Sequence, residues 1–315
     1  MPLVLARAAL SVVAAALSDV EAARVRILVR VKRAAIGLLA ACVCLGLVLV
    51  GEPGARAPYK GTVVETSFAS RGVQGRVHLS VYLPAGYAAG GERYPVVYFL
   101  HGLPADSQAY RGFDYLRRAL DAVGRPAILV APQGARDGDS DPEYLDWGPG
   151  RNWETAVGVE LPRFVDSHFR TIRSRRGRAI VGLSAGGYGA TLLALHHLDA
   201  VAVVESWSGY FHPTDPTGTR TLDVGSAAAN ARATAHTFVR ELRAAFEARP
   251  TFFAFYVGAR DSRFRGENLV LDRELRAARV PHVFRVYPGG HDSTVWSAHA
   301  TAWLRLALAH LEPAS

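Results

Sequence analysis

Gly182-Leu183-Ser184-Ala185-Gly186 is a G-x-S-x-G pentapeptide between two segments that suit it for nucleophilic chemistry. The apolar stretch Arg178–Val181 before it has the pattern of a buried strand, and Gly187–Leu195 after it opens as a helix. So short a strand-to-helix turn admits only small residues two positions either side of the serine. It lifts the hydroxyl above the sheet edge and aims a helix amino terminus at the reacting centre. A serine held this way attacks a carbonyl once a base removes its proton, and the base needs a carboxylate to hold its ring.

Eight histidines follow Ser184. His196 and His197 fall at the far end of the serine's own helix. His236, His299 and His310 have helical neighbours, and His282 opens a strand at the wrong end of the sheet. His291 sits in Pro288-Gly289-Gly290-His291, just past a strand's carboxyl end, where catalytic loops of parallel sheets gather. It is the expected base. By the same reasoning Asp261, in Gly258-Ala259-Arg260-Asp261 after the strand Phe252–Val257, is the expected acid. Glu205 is the alternative; Asp215 and Asp223 lack anchorage in a long loop, and Asp292 is too close to His291 to reach its Nδ1.

An oxyanion needs two backbone N–H donors. Ala185 supplies one, and Leu103, in the loop after strand Val96–Leu100, supplies the other, with Gly102 as its alternative. His101 is read as a substrate-binding or loop-orienting residue. Trp147, Trp153 and Trp207 are placed in loops after strands, lining an acyl or aromatic pocket or filling core gaps; Trp153 and Trp207 complete the substrate-binding set.

Other chemistries lack their residues. Asp137-Gly138-Asp139-Ser140-Asp141 begins like a calcium loop, but Pro142 stands where Gly is needed and Gly148 where the bidentate Glu belongs. No H-E-x-x-H, Walker or dinucleotide motif occurs, so neither a metal nor a cofactor is expected.

The elements that must position these residues can be read from periodicity. Thr62–Ala69 and Val77–Leu83 alternate as half-buried antiparallel strands do. Val96–Leu100, Ala127–Ala131, Ala179–Val181, Ala200–Val204, Phe252–Val257 and His282–Tyr287 are short apolar runs, typical of strands covered on both faces. Helical spacing recurs at Leu116, Leu120 and Val123, at Phe238, Leu242 and Phe246, at Leu271 and Leu275, and from Trp296 to Leu311. Alternating strands and helices predict an α/β fold, a mostly parallel sheet with helices on both faces, in residues 58–315.

Residues 1–57 read differently. Ala34–Gly51 is eighteen residues without a charge, preceded by Arg24, Arg26, Arg30, Lys32 and Arg33. A basic flank stays cytoplasmic, so this hydrophobic helix predicts export of the body. It either remains as a membrane anchor, is cleaved within Gly51–Ala57, or is lipidated at Cys42 in the lipobox-like Leu39-Ala40-Ala41-Cys42. Residues 1–23 read as a leader or an over-extended gene start. Cys42 and Cys44 are the only cysteines, so the body has no disulfide or thiolate site. The formal charge is +8, but half of it lies in residues 1–57, and acids and bases intersperse in the remainder. The one basic run, Arg173–Arg178, reads as a solvated connection, so no nucleic-acid partner is expected.

Residues 62–310 resemble the esterase family of α/β-hydrolases that includes esterase D-like formylglutathione hydrolases, feruloyl esterases and mycolyltransferases. The resemblance rests on Tyr98-Phe99-Leu100-His101-Gly102, Phe164–Thr171, Gly182–Gly187, and Gly289-Gly290-His291-Asp292 followed by Trp296. It implies a triad at Ser184, Asp261 and His291. Many members carry Met where this chain has Ala185, a change in the pocket wall more than in the backbone donor. The expected activity is that of an exported serine esterase acting through an acyl-enzyme on a small-molecule or glycolipid ester. The alternatives are acyl transfer to a sugar or glycolipid hydroxyl, and an inactive binding module.

Overall fold

The computed structural model describes residues 59–139, 143–215, 218 and 220–315. The predicted hydrophobic helix, the lipobox and the leader lie outside these residues.

Eight strands form one sheet: β1 (Thr62–Ser70), β2 (Gly75–Leu83), β3 (Val96–Leu100), β4 (Ile128–Pro132), β5 (Arg178–Leu183), β6 (Val203–Trp207), β7 (Phe252–Gly258) and β8 (Val283–Tyr287). Their order is β1-β2-β4-β3-β5-β6-β7-β8. β2 pairs antiparallel with β1 and β4, and every pairing from β4 through β8 is parallel. Parallel neighbours need crossovers, which helices supply, and those helices bury both faces of the strands. β3, β4, β5 and β7 accordingly carry almost unbroken apolar side chains.

The helices are α1 (Asp114–Val123), α2 (Leu161–His168), α3 (Ala185–His196), α4 (Ala227–Arg232), α5 (Val239–Ala248), α6 (Arg265–Ala277) and α7 (Ser293–Ala309). A π-helical turn over Thr155–Glu160 leads into α2. On one face Leu116 and Leu120 of α1 and Trp303 and Leu304 of α7 pack against Val97, Val181 and Tyr256. On the other, α2, α3, α5 and α6 pack against Tyr98, Ile180 and Phe255 through Val165, Leu193, Leu242 and Leu271. This is the α/β-hydrolase fold.

One expected strand needs correction, and one helix was not expected. The strand expected at Ala200–Val204 runs instead from Val203 to Trp207, so Trp207 ends a strand and Glu205 lies mid-strand. Two polar residues, Glu205 and Ser206, interrupt the apolar run and mimic a strand end. α4 is short and alanine-rich with no fully buried residue, so no periodicity announced it.

Candidate active site

Ser184 joins β5 to α3 with φ 53° and ψ −121°, a conformation that costs a non-glycine residue about 1–3 kcal/mol. Its neighbours permit the turn. A Cβ on Gly182 would stand 2.0 Å from the Gly186 carbonyl oxygen, and one on Gly186 would stand 2.0 Å from that of Leu100. The amide of Ala185, first residue of α3, has no acceptor within its helix.

Parallel register aligns the carboxyl ends of β5, β7 and β8, so three loops converge. His291 Nε2 lies 2.9 Å from Ser184 Oγ, and its Nδ1 lies 2.8 Å from Asp261 Oδ2. Asp261 is buried, and its other oxygen accepts the amides of Arg263 and Phe264 at 3.0 and 3.1 Å. A carboxylate so held keeps a proton on Nδ1 and leaves Nε2 free to take one from the hydroxyl. The imidazole stands between Phe264 and Trp296, each edge-on with ring centres 5.1 and 5.2 Å away.

The rejected acids lie elsewhere. Glu205 accepts from Trp207 Nε1 at 3.0 Å, and burial pushes its carboxyl well above the ordinary carboxylate range. Asp292 caps α7 by accepting the amides of Thr294 and Val295. Asp223 accepts from Gly225 and Asn230 within its own loop.

The loop after β3 lies against the serine, since a Cβ on Gly102 would stand 2.9 Å from that of Ser184. Leu103 follows there, half-buried. His101 is buried, its Nε2 accepting the Gly134 amide at 3.0 Å and its Nδ1 donating to the Gly102 carbonyl at 2.9 Å. Burial lowers its pKa below 6.5, and both nitrogens are occupied in the neutral ring. His101 therefore orients the loop and has no atom left for substrate.

Trp153 and Trp207 likewise move from substrate-binding to core. Both have no solvent exposure; Trp153 packs under the α2–α3 face with Nε1 on Asp139, and Trp207 packs on the opposite face of the sheet. Trp147 stays partly open, with Leu103 and Val224, over a patch that includes Ala185, Leu145, Tyr210 and Ala233. A cavity of about 140 Å³ continues from this patch, lined by Leu145, Trp147, Val224, Ala233, Glu154 and Arg232 among others. Except for Trp147, Leu103 and Ala185, sequence reasoning missed these residues, which come from separate segments with no shared spacing.

Within the basic run Arg173–Arg178, Arg175 donates to the carbonyls of Leu198, Pro250 and Val201, Arg176 pairs with Glu312 and Arg178 with Asp166, while Arg173 is exposed. Among the described residues no cluster of His, Cys, Asp and Glu could hold a metal ion.

A strained serine and an imidazole hydrogen-bonded to both Ser184 and Asp261 stand as nucleophile, base and acid would. Comparison with known proteins gives the family. The family described as Putative esterase matches residues 70–305. The chain belongs to this esterase family. It is 39% identical to Esterase Rv1288 of Mycobacterium tuberculosis over 132 residues, 42% of this chain and 28% of that protein. The chain thus spans little more than a quarter of that relative's length. It is 32% identical to the diacylglycerol acyltransferase/mycolyltransferase Ag85A of Mycobacterium leprae over 139 residues, 41% of this chain and 40% of that one. A solved ferulic acid esterase superposes with a TM-score of 0.66 at 25% identity, covering 80% of this chain and 99% of its own.

Proposed function

We propose that this esterase-family chain hydrolyses carboxylic esters through a covalent acyl-enzyme on Ser184. The observation that carries the reading is the unbroken relay from Asp261 through His291 to Ser184 at 2.8 and 2.9 Å. His291 Nε2 takes the hydroxyl proton as Ser184 Oγ attacks the ester carbonyl, and Asp261 stabilises the imidazolium. The amides of Ala185 and Leu103 receive the oxyanion. His291 then gives the proton to the departing alcohol. Water, deprotonated by the same imidazole, attacks the acyl-serine and releases the acid. The substrate is a small-molecule or glycolipid ester whose acyl group rests on the apolar patch of Leu103, Trp147 and Val224. No metal or cofactor enters the scheme. The apolar segment 34–51 with its basic flank supports export, with the catalytic domain outside the cytoplasm, anchored or released.

Likeness to the mycolyltransferase Ag85A supports a second reading, in which a sugar or glycolipid hydroxyl replaces water. Purified protein, beside Ser184→Ala, is exposed to a fluorophosphonate probe and to short-chain nitrophenyl esters with and without trehalose or glycerol as acceptor. Labelling and turnover lost together in the variant support the acyl-enzyme. Product esters forming faster than free acid favour transfer. A folded protein that takes no label refutes the proposal.

A further inference from the structure

The end of the sheet opposite Ser184 gathers the amino-terminal ends of the parallel strands, and β1 begins there. Thr62 pairs with Leu83, and the adjacent Tyr82 pairs with Leu129, next to the start of β4. Residues 59–61 are tied down at this end. The Gly61 amide donates to Tyr82 Oη at 2.8 Å, the Lys60 amide donates to Asp121, and the Tyr59 ring lies under the Arg117 guanidinium. The chain before Tyr59 therefore joins the domain at the face farthest from the catalytic loops.

That face is also basic. Arg93, Arg125, Arg173, Arg249 and Arg279 lie in the connections that lead into β3, β4, β5, β7 and β8. All are exposed except the half-buried Arg125, and none forms an ion pair among the described residues. Between them, two open hollows of about 530 and 460 Å³ meet at Pro250 and Thr251; Arg175 and Arg176 with Glu312 line the first, and Arg243 and Arg279 with Glu247 line the second, so arginines outnumber acids in each. Burial and the neighbouring Arg249 lower the pKa of Arg175, against a smaller opposing effect of Asp199. The clustering contrasts with the near-balance of charge over residues 58–315 as a whole.

We propose that this basic face docks on the anionic headgroups of a lipid bilayer, which turns the Ser184 loops away from the membrane. The inference takes from the export reading only the tether. Only residues 52–58, a reach of at most roughly 25 Å, separate the apolar segment 34–51 from the point where the chain enters this face. Within a screening length of the bilayer surface each arginine adds attraction to anionic lipid. The tether selects a bilayer over other polyanions.

The test uses the full chain, with Cys42→Ser and Cys44→Ser, in vesicles of phosphatidylcholine alone or mixed with phosphatidylglycerol. A fluorophore is placed at Ala248→Cys on the basic face or at Gln108→Cys on the catalytic face, and headgroup-quencher lipids are added. The expected result is strong quenching at position 248 and little at 108 in anionic vesicles. About 1 M NaCl, or Arg173→Glu, Arg249→Glu and Arg279→Glu together, should reduce the quenching at 248 about tenfold. Equal quenching at both positions, or quenching at 248 indifferent to lipid charge and salt, overturns the proposal. Failure of the chain to float with anionic vesicles also overturns it. Flotation with anionic vesicles alone, reversed by salt, supports the basic face while refuting the anchor. Nucleic acid that displaces the protein from these vesicles at equal charge overturns the choice of a bilayer as partner.

Discussion

Gly102 lies so close to Ser184 that a methyl group on its α-carbon would stand 2.9 Å from the serine Cβ and 2.8 Å from Leu183 Cδ1. The oxyanion loop and the nucleophile elbow are thus packed backbone to side chain. Gly102→Ala must push the loop, and with it the Leu103 amide, away from the developing oxyanion. Turnover of a nitrophenyl ester should fall roughly 10²-fold. Circular dichroism should report an intact fold, because the displacement is confined to the loop.

Asp261→Asn separates the two jobs of this carboxylate. The variant's side-chain oxygen still accepts the amides of Arg263 and Phe264, so the loop keeps its shape. Its NH₂ then faces His291 Nδ1 and forces the proton to Nε2, where it blocks proton transfer from Ser184. The kcat should drop about 10⁴-fold, with Tm nearly unchanged.

Trp296 positions the base through its indole, whose plane stands at 88° to the His291 ring. Trp296→Ala leaves the imidazole held on one aromatic side only, by Phe264. The kcat should fall about tenfold with little change in KM, and Trp296→Phe should restore most of it. Equal losses in the Ala and Phe variants would refute a positioning role.

Two buried groups set opposing pH dependences of stability. Burial raises the Glu205 carboxyl well above 4.5, so the folded state binds a proton that the unfolded state releases, and stability falls as pH rises through and beyond about 4.5. Burial lowers His101 below 6.5, so the unfolded state binds the extra proton, and stability falls as pH drops below about 6.5. Glu205→Gln, which still accepts from Trp207, should therefore melt higher than the parent at neutral pH. The difference should vanish below about pH 4.5, as thermal melts across pH would read directly.

Ser184, Asp261 and His291 were legible because each is tied to a local signal: an apolar run, then a glycine-bearing turn, then the reactive side chain. Such signals need no knowledge of distant contacts, and the parallel register brings the three turns together. The tryptophans misled for the converse reason. Trp207 follows Glu205, and a buried carboxyl inside a strand looks in sequence like the polar start of a loop. The carboxyl accepts from Trp207 Nε1, a contact between two residues of one strand that spacing alone does not announce. His101 misled in a similar way. Its ring meets Gly134, 33 residues on, and nothing in the spacing announces that bond. The patch around Trp147 and Val224 has no sequence period because it is assembled from loops that meet only in three dimensions.

β8 has one neighbour in the sheet, β7, and its side chains are half-buried or exposed, Val286 at 40%. His291 hangs from the end of this outermost strand, whereas Ser184 follows β5 in the middle of the sheet. Marginal strands open at lower free energy than central ones. Heating should therefore disconnect the base while the nucleophile still sits on intact core. Inactivation should precede melting, and amide exchange along Val283–Tyr287 should track the loss of activity more closely than any probe of the interior.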